Sequence, residues 1–468
     1  MATEQLAEWI HNLNYSDLPD SVIKAATRSF HNSLGCIVGA AGHETVLKLN
    51  RMYRYEDRPA QCTIFGRSRF DGFHRETTIS NAISINGVAS HVNDYDDTHL
   101  QTIIHPAGAI VVALLAQTES SPDWACNGEE FITAVVVGIE TSLRLGNAIS
   151  PNHYSAGWHI TGTVSPIGVA AAVSKLMHLT LEQIVYALGI ASTQPVGLRV
   201  HFGTDTKALH VSRAAQSGLQ AVELAQGGFT AAVDALEGRR GWVEVLGHGA
   251  NNLNEQINQL MRLTEEARNG NRQGTEKWEI EKNTFKPFPC GIVIHPIIDA
   301  CIQLHNEQKL KEKLATISSI HLQVHPLVLD LTGKRTPQDD LEAKFSVYHG
   351  AAIGLLFGSA TPAQYKTKVV QSLQVIQIRD RVTAEANEKI RSDEAFVTIR
   401  LTTGEEITKH VEHAVGSQDR PMTDEELRDK FRKQVEPVLE AEQAALLERL
   451  AWEVNKCGDM SLIIDAAQ

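Results

Sequence analysis

Basic side chains are missing from the start of this 468-residue sequence, where Glu4, Glu8, Asp17 and Asp20 precede the first lysine or arginine, Lys24. Signal peptides open on positive charge and transit peptides are rich in arginine, so this start reads as neither, and a cytoplasmic protein is expected. Long apolar runs are also lacking. The charge-free stretches 107–116 and 160–174 fall short of the about 20 apolar residues that a membrane helix needs, so no membrane partner is expected. The six cysteines (Cys36, Cys62, Cys126, Cys290, Cys301 and Cys457) are dispersed without a Cys-x-x-Cys pair. That spacing argues against a disulfide framework, a zinc site and an iron–sulfur cluster. Positive charge is in deficit, with 43 Lys and Arg against 56 Asp and Glu and a net charge of −13. Nucleic-acid binding rests on neutralising phosphates, so no nucleic-acid partner is expected. No Gly-x-Gly-x-x-Gly follows a strand pattern, Arg335 rather than Ser or Thr follows Gly333-Lys334, and neither His-Glu-x-x-His nor Gly-x-Ser-x-Gly occurs. Dinucleotide, phosphate-loop, zinc-protease and serine-hydrolase chemistry therefore lack their signatures.

Apolar residues are plentiful, at 43% of the chain, enough for a sizeable core rather than a disordered segment. The length suits about three domains of roughly 150 residues or two larger ones. In the first half, helix follows helix. Asp20 and Ser21 are candidates to cap a helix running to Ala40, and Asn127 precedes the apolar segment 131–145. Thr180-Leu181-Glu182-Gln183 has the form of a capping box. Ala208, Val211, Ala215, Gly218, Val222 and Ala225 recur at spacings of three and four, with Gly227-Gly228 as a stop, which is one face of a helix. Aromatics are only 6% of the chain, in keeping with closely packed helices bearing small residues.

Glu, Arg, Asn, Gly and Lys crowd segment 263–283, which reads as a boundary or an exposed excursion. Strand patterns follow. Ile317, Ile320, Leu322 and Val324 alternate around the break Ser318-Ser319, and Val397, Ile399 and Leu401 lead through Thr403-Gly404 into 407–411 as a hairpin. A helix is expected over 341–356, with Phe345, Tyr348, Ala352 and Leu355 on one side. Thr423-Asp424-Glu425-Glu426 opens another helix, Pro437 breaks it, and helical spacing resumes through Val454. The reading is mainly α: a large helical domain over 1–268, a smaller α+β domain over 269–421, and C-terminal helices over 422–468 that return to the helical domain.

The 20 histidines suggest metal, proton transfer or neither. His91, Asp94, Asp96, Asp97, His99 and His105 fall within 15 residues, just before the apolar run 109–116. Mixed imidazole and carboxylate would suit a divalent metal. It would equally suit proton transfer, with carboxylates orienting histidines. A loop of Asp residues that caps the next helix is the plainer alternative. Three more patches bear on the choice. Gly157-Trp158-His159-Ile160-Thr161-Gly162-Thr163 places a histidine and two threonines at a helix start, where N–H groups favour an anion. Gly203-Thr204-Asp205-Thr206-Lys207 adds a lysine, and the Pro-rich loop Phe285-Lys286-Pro287-Phe288-Pro289-Cys290-Gly291 adds another, near His295. Singly, each lysine is an ordinary surface residue. Together they form a constellation for a small polycarboxylate, with cations to hold it and histidines to move protons.

In this order, Asp-x-Asp-Asp-Thr, His-Pro-x-Gly, Gly-Trp-His-x-Thr-Gly-Thr and Thr-Lys-x-x-His-x-x-x-Ala-Ala, the chain resembles the MmgE/PrpD family. Leu236-Glu237-Gly238-Arg239-Arg240-Gly241 and Lys286-Pro287-Phe288-Pro289 add to the resemblance, which runs from about residue 5 to 460. The family includes 2-methylcitrate dehydratase, cis-aconitate decarboxylase and iminodisuccinate epimerase. The resemblance implies a helical domain with an α+β lid, a homodimer, and chemistry without metal or other cofactor. It carries the decarboxylase site onto Asp94, Thr98, His105, His159, Lys207 and Lys286. One departure stands out: where that enzyme has a lid tyrosine, residues 325–334 contain none.

These residues imply a lyase that moves a proton next to a carboxylate of a di- or tricarboxylate, by dehydration or decarboxylation. An epimerase is the alternative, and a divalent-metal protein a further one. Lys207, Lys286 and His159 are expected to bind carboxylates and spread the developing charge. His105 is expected to be the general acid/base, tuned by Asp94 and burial. Thr98 is expected to position substrate or water, and Asp96 and Asp97 to cap the helix or orient His99 and His105. His91, His99 and His295 are expected in support.

Overall fold

The computed structural model describes residues 1–53, 61–66, 76–121, 126–270, 276–307 and 310–468. It is mainly helical. Helices Ala107–Glu119 and Ile160–Leu176 are apolar on every side and buried on every side, as the absence of a polar face demands. Asp20–Gly39, Ile79–Val92, Gly128–Ile149 and Asp205–Gln226 pack around them. Small residues set how close they come. A Cβ on Gly168 would strike Ser142 and lie 2.8 Å from the Gly138 carbonyl oxygen, so the crossing of Gly128–Ile149 over Ile160–Leu176 needs glycine there.

Gly128–Ile149 is long and apolar enough, by length and composition, to cross a membrane, which the charge-free runs did not reveal. Of its apolar window, 94% lies inside the fold. Its two opposite charges pair one turn apart, Arg144 Nε donating to Glu140 at 3.1 Å, so neither is buried alone.

The capping box at Thr180 forms as read, with Gln183 completing it, and the structure adds one at Asn127 with Glu130. Asp20 is not a cap. It is the first helical residue, and Pro19 stands at the cap position without a side-chain bond. Ala208, Val211, Ala215, Gly218, Val222 and Ala225 all face inward, and Gly228, at φ +89°, ends that run. Leu253–Arg268 carries helix into the expected boundary, whose residues 271–275 lie outside the described residues.

A second hydrophobic core gathers residues between Phe288 and Val411. Its sheet has the order Val382–Ala386, Ile317–Val324, Ala395–Leu401, Glu406–Val411, the first pair parallel and the others antiparallel. Ser318-Ser319 marks a register shift between Ile317 and Ser319, a bulge. Helices His295–Glu307 and Val347–Phe357 complete this core. The helix expected over 341–356 is broken: Asp340–Ala343 stops, Ser346 caps Val347–Phe357, and Phe345 lies in the joint between them. After this core the chain returns. Phe431, Val435, Leu439, Leu447 and Val454 belong to the first core, with Asp424–Val435 against Asp20–Gly39.

A short ladder joins distant segments where the functional residues lie. Asp97–His99 pairs antiparallel with Asn283–Phe285, Asp97 opposite Phe285 and Thr98 opposite Thr284.

Candidate active site

Helix Ile79–Val92 ends at Asn93, and Asp94 turns the chain with φ +50°, a left-handed conformation that Asp tolerates better than most residues. This turn points the Asp94 carboxylate at two lysines. Lys207, in the first turn of Asp205–Gln226, donates to Oδ1 at 2.8 Å. Lys286, delivered by the ladder, donates to the same oxygen at 2.8 Å and to the Asp94 carbonyl at 3.2 Å. All three residues are buried. Burial opposes ionisation of Asp94, but Lys207 and Lys286, with His105 and His91, outweigh it and hold the carboxyl well below its ordinary range. Burial also lowers Lys207 from the usual lysine value, against the pull of Asp94. Two ammonium groups share the Asp94 carboxylate, so N–H donors remain on them for an anion.

His105 Nδ1 lies 3.0 Å from the Asp97 carbonyl oxygen and 3.2 Å from Thr98 Oγ1. A carbonyl only accepts, so Nδ1 carries a proton and Nε2 is left to exchange one with a ligand. The nearer carboxylate to this ring is Asp96, 3.4 Å from Nδ1, whereas Asp94 is 4.0 Å from Nε2. The contact with this ring expected of Asp94 is therefore shared with Asp96. Asp96 also lies 2.7 Å from His91 Nδ1 and is held well below the ordinary carboxyl range, where both imidazoles overcome its burial. Asp97 accepts from the Ala107 N–H at 3.4 Å, at the head of the next helix, and burial together with Asp96 pushes its carboxyl up to about 7.

Several assignments change. Thr98 is fully buried on the ladder, its hydroxyl against the inner edge of His105, so it orients that ring instead of touching a ligand. Thr161 accepts from the His105 backbone N–H at 3.1 Å, and Thr163 lies 2.8 Å from His153 Nε2, so neither threonine is free for an anion. His159 lines the cavity, but burial and then Lys207 hold its pKa well below 6.5; it is a neutral hydrogen-bonding partner, not a cation. His99 faces away, 3.1 Å from Glu279 and 2.9 Å from Thr102. His295 is buried beside Phe288 and lines a neighbouring cavity, not this one.

The cavity is lined from both cores. The first supplies Asp94, His105, Tyr154, His159, Phe202 and Lys207; the second side supplies Lys286, Ile292, Val293, Leu331, Thr332 and Phe345. Phe202 and Phe345 each place their ring centre 5.3 Å from Lys207 Nζ, close enough to favour a cation over their faces. No sequence motif marked these aromatics, and the expected helix had put Phe345 on the wrong element. Among the described residues, the second core contributes no tyrosine to the lining, matching the gap in residues 325–334, and Tyr154 comes from the first. Lys430 also escaped the sequence, its charged helix resembling a solvated face. It is buried, donates to Asn32 and to the Tyr95 carbonyl at 2.7 Å each, and braces the Asp94–Asp96 turn; burial lowers it to about 8.

His91, Asp94, Asp96 and His105 bring ligand atoms within 4.8 Å of one another, a spacing a cation could use. Lys207 and Lys286 already neutralise Asp94 there, and their charge would repel a divalent ion.

These two halves also match known sequences. The MmgE/PrpD N-terminal domain matches residues 4–254 and the MmgE/PrpD C-terminal domain matches 288–455. The chain belongs to the MmgE/PrpD family. Within it, the chain is 27% identical over 450 residues to a cis-aconitate decarboxylase of Mus musculus, covering 93% of this chain and 87% of that protein. A cis-aconitate decarboxylase of Aspergillus terreus is 24% identical over 484 residues, covering 99% and 95%. A cis-aconitate decarboxylase-like protein, oryM, of Aspergillus oryzae is 25% identical over 479 residues, covering 99% and 96%. The MmgE/PrpD C-terminal match runs on past 422, into the helices that pack on the first core.

Proposed function

We propose that this MmgE/PrpD protein is a lyase acting on a small di- or tricarboxylate without metal, by decarboxylation of a cis-aconitate-like acid or dehydration of a 2-methylcitrate-like one. The observation that carries the reading is the buried pair Lys207 and Lys286, both 2.8 Å from Asp94 Oδ1 and beside His105. The relatives named as cis-aconitate decarboxylases favour decarboxylation of the two.

In that reaction the bond between a carboxylate carbon and its neighbour breaks, carbon dioxide leaves, and the electron pair stays on the remaining carbon. Conjugation spreads the pair into a second carboxylate, which Lys207 and Lys286 stabilise from positions fixed before the reaction. His105, entering the step as the imidazolium with Nδ1–H on the Asp97 carbonyl, gives its Nε2 proton to the vacated position and ends neutral, while Thr98 helps hold the ring. The apolar wall of Ile292, Val293, Leu331 and Phe345 keeps water from competing for the carbanion. A homodimer is part of the same proposal. Phe229 and Val245, 61% and 59% exposed, flank a surface groove and offer apolar area for a second copy.

Incubating the protein with a panel of di- and tricarboxylates in deuterated water, followed by mass spectrometry, tests the reaction. Loss of carbon dioxide or of water supports a lyase. Deuterium uptake with no group lost would replace it with an epimerase.

A further inference from the structure

His159 does not stand alone in the cavity wall. Its Nδ1 lies 2.9 Å from Nδ1 of His210, one turn beyond Lys207 on Asp205–Gln226. The pair is enclosed closely. The His159 N–H donates to the Gly197 carbonyl at 3.1 Å, and a Cβ on Gly197 would lie 2.9 Å from both Cγ and Nδ1 of His210. Gly197 has φ +104°, so glycine alone lets this loop close over the two rings. Phe202 meets His159 edge-on at 5.2 Å, and the half-buried His201 ring is 5.9 Å from His210.

Two neutral imidazoles that meet Nδ1 to Nδ1 hold one proton between them. Both rings are neutral here: burial, then His201 and Lys207, lowers His210 to about 4, and His159 lies well below its ordinary value. If His159 donates, its Nε2 is bare; if His210 donates, His159 carries its proton on Nε2. Because Nδ1 is engaged, Nε2 is the nitrogen His159 has left for a ligand. An anion in the cavity favours the second arrangement, since only N–H can donate to it.

We propose that His210 is a positioning residue of this site, which through the shared Nδ1 proton sets the tautomer that His159 presents to a bound carboxylate. This rests on the reading of the cavity as a polycarboxylate site. Carboxylate binding then selects the arrangement with Nδ1–H on His210 and Nε2–H on His159, a shift between two existing states with no change in net charge.

The test is nitrogen-15 NMR of the histidine rings in the full chain, with and without tricarballylate as a tricarboxylate probe, together with tricarballylate affinity of His210→Phe and His210→Gln. The ligand-free rings should show opposite tautomers, and the probe should move His159 to Nε2–H and His210 to Nδ1–H. His210→Phe should bind the probe roughly tenfold more weakly, the scale of one hydrogen bond to a charged group, and His210→Gln, whose amide can donate to Nδ1, should recover part of it. Matching thermal melts and circular dichroism would set aside misfolding, and Gln supplies the answer if Phe does not fold. The same tautomer in both rings, or unchanged affinity in a folded variant while wild type binds, overturns the role of His210. Wild type that fails to bind tricarballylate instead sinks the carboxylate reading beneath it.

Discussion

The amino group of Lys286 lies 2.8 Å from Oδ1 of Asp94, although 192 positions separate them in the chain. The ladder between Asp97–His99 and Asn283–Phe285 makes that meeting possible, because Asp94 stands just before Asp97 and Lys286 follows Phe285, which is paired with Asp97. A charge from one hydrophobic core is thereby held against a carboxylate from the other side of the cavity.

Replacing Asp94 with Asn should destabilise the fold as well as the reaction. Lys207 and Lys286 would remain buried without their counter-charge, a change that costs about 3–5 kcal/mol when one partner of a buried pair is removed. Denaturant titration at neutral pH reads it, and a variant as stable as wild type would refute the clamp.

The two lysines should separate from His105 in kinetics. Lys207→Met and Lys286→Met are each expected to lower turnover on the active polycarboxylate about 100- to 1,000-fold, the range for losing one charge-stabilising donor. His105→Gln should lower kcat with little change in KM, since its part is proton delivery. Equal effects on KM in all three would count against these roles.

Buried neutral histidines should make stability fall with acid; Asp97, its carboxyl raised to about 7, acts the other way over the same interval, but it is one group against several. Burial lowers His153 and His349 to about 4 and His31 to about 3, against an ordinary 6.5. These folded-state values are depressed, so their contribution is complete above 6.5 and is lost as pH drops toward 4 and 3, where the unfolded chain has already taken up protons. Thermal melts should therefore show Tm decreasing from about pH 7 to about pH 5. A flat or rising Tm over that interval would contradict this.

Chelation distinguishes the lysine-clamped carboxylate from a metal centre. Dialysis against EDTA should leave activity unchanged, and elemental analysis should find less than one divalent ion per chain. Loss of activity restored by one metal would return His91, Asp94, Asp96 and His105 to the role of ligands.

Assembly is tested at the exposed aromatic. Light scattering should give the mass of two chains, and Phe229→Glu, which places charge on the apolar patch, should shift it toward one. Wild type with the mass of one chain would remove the dimer.

Most helices were legible because their signals are local. Thr180 with Gln183 and Thr423 with Glu426 satisfy their own backbone donors within four residues, so the same boxes appear in sequence and structure, while the box of Asn127 with Glu130 was seen only in the structure. The strands Ile317–Val324 and Ala395–Leu401 were legible by alternation, and even the Ser318-Ser319 interruption had a structural counterpart. Phe345 was not. Ser346 caps a new helix immediately after it, and helical spacing alone does not reveal a break between two helices in register.

Within the site, residue types and order sufficed to gather Asp94, His105, His159, Lys207 and Lys286, because polar and charged groups in apolar surroundings need a reason to be there. Their division of labour was decided by distance. Asp96, not only Asp94, braces His105; Thr98 turns inward; and burial beside Lys207 makes His159 neutral. Phe202 and Lys430 had no motif of their own, and His210 stood in one without a role assigned, since their partners lie on other elements. The sequence by itself determined the helical fold, the family and the chemistry available, all of which depend on residue type and short-range spacing. Only tertiary structure decided which carboxylate meets which cation and which imidazole stays uncharged, because charge interaction and desolvation depend on distances that the chain order does not contain.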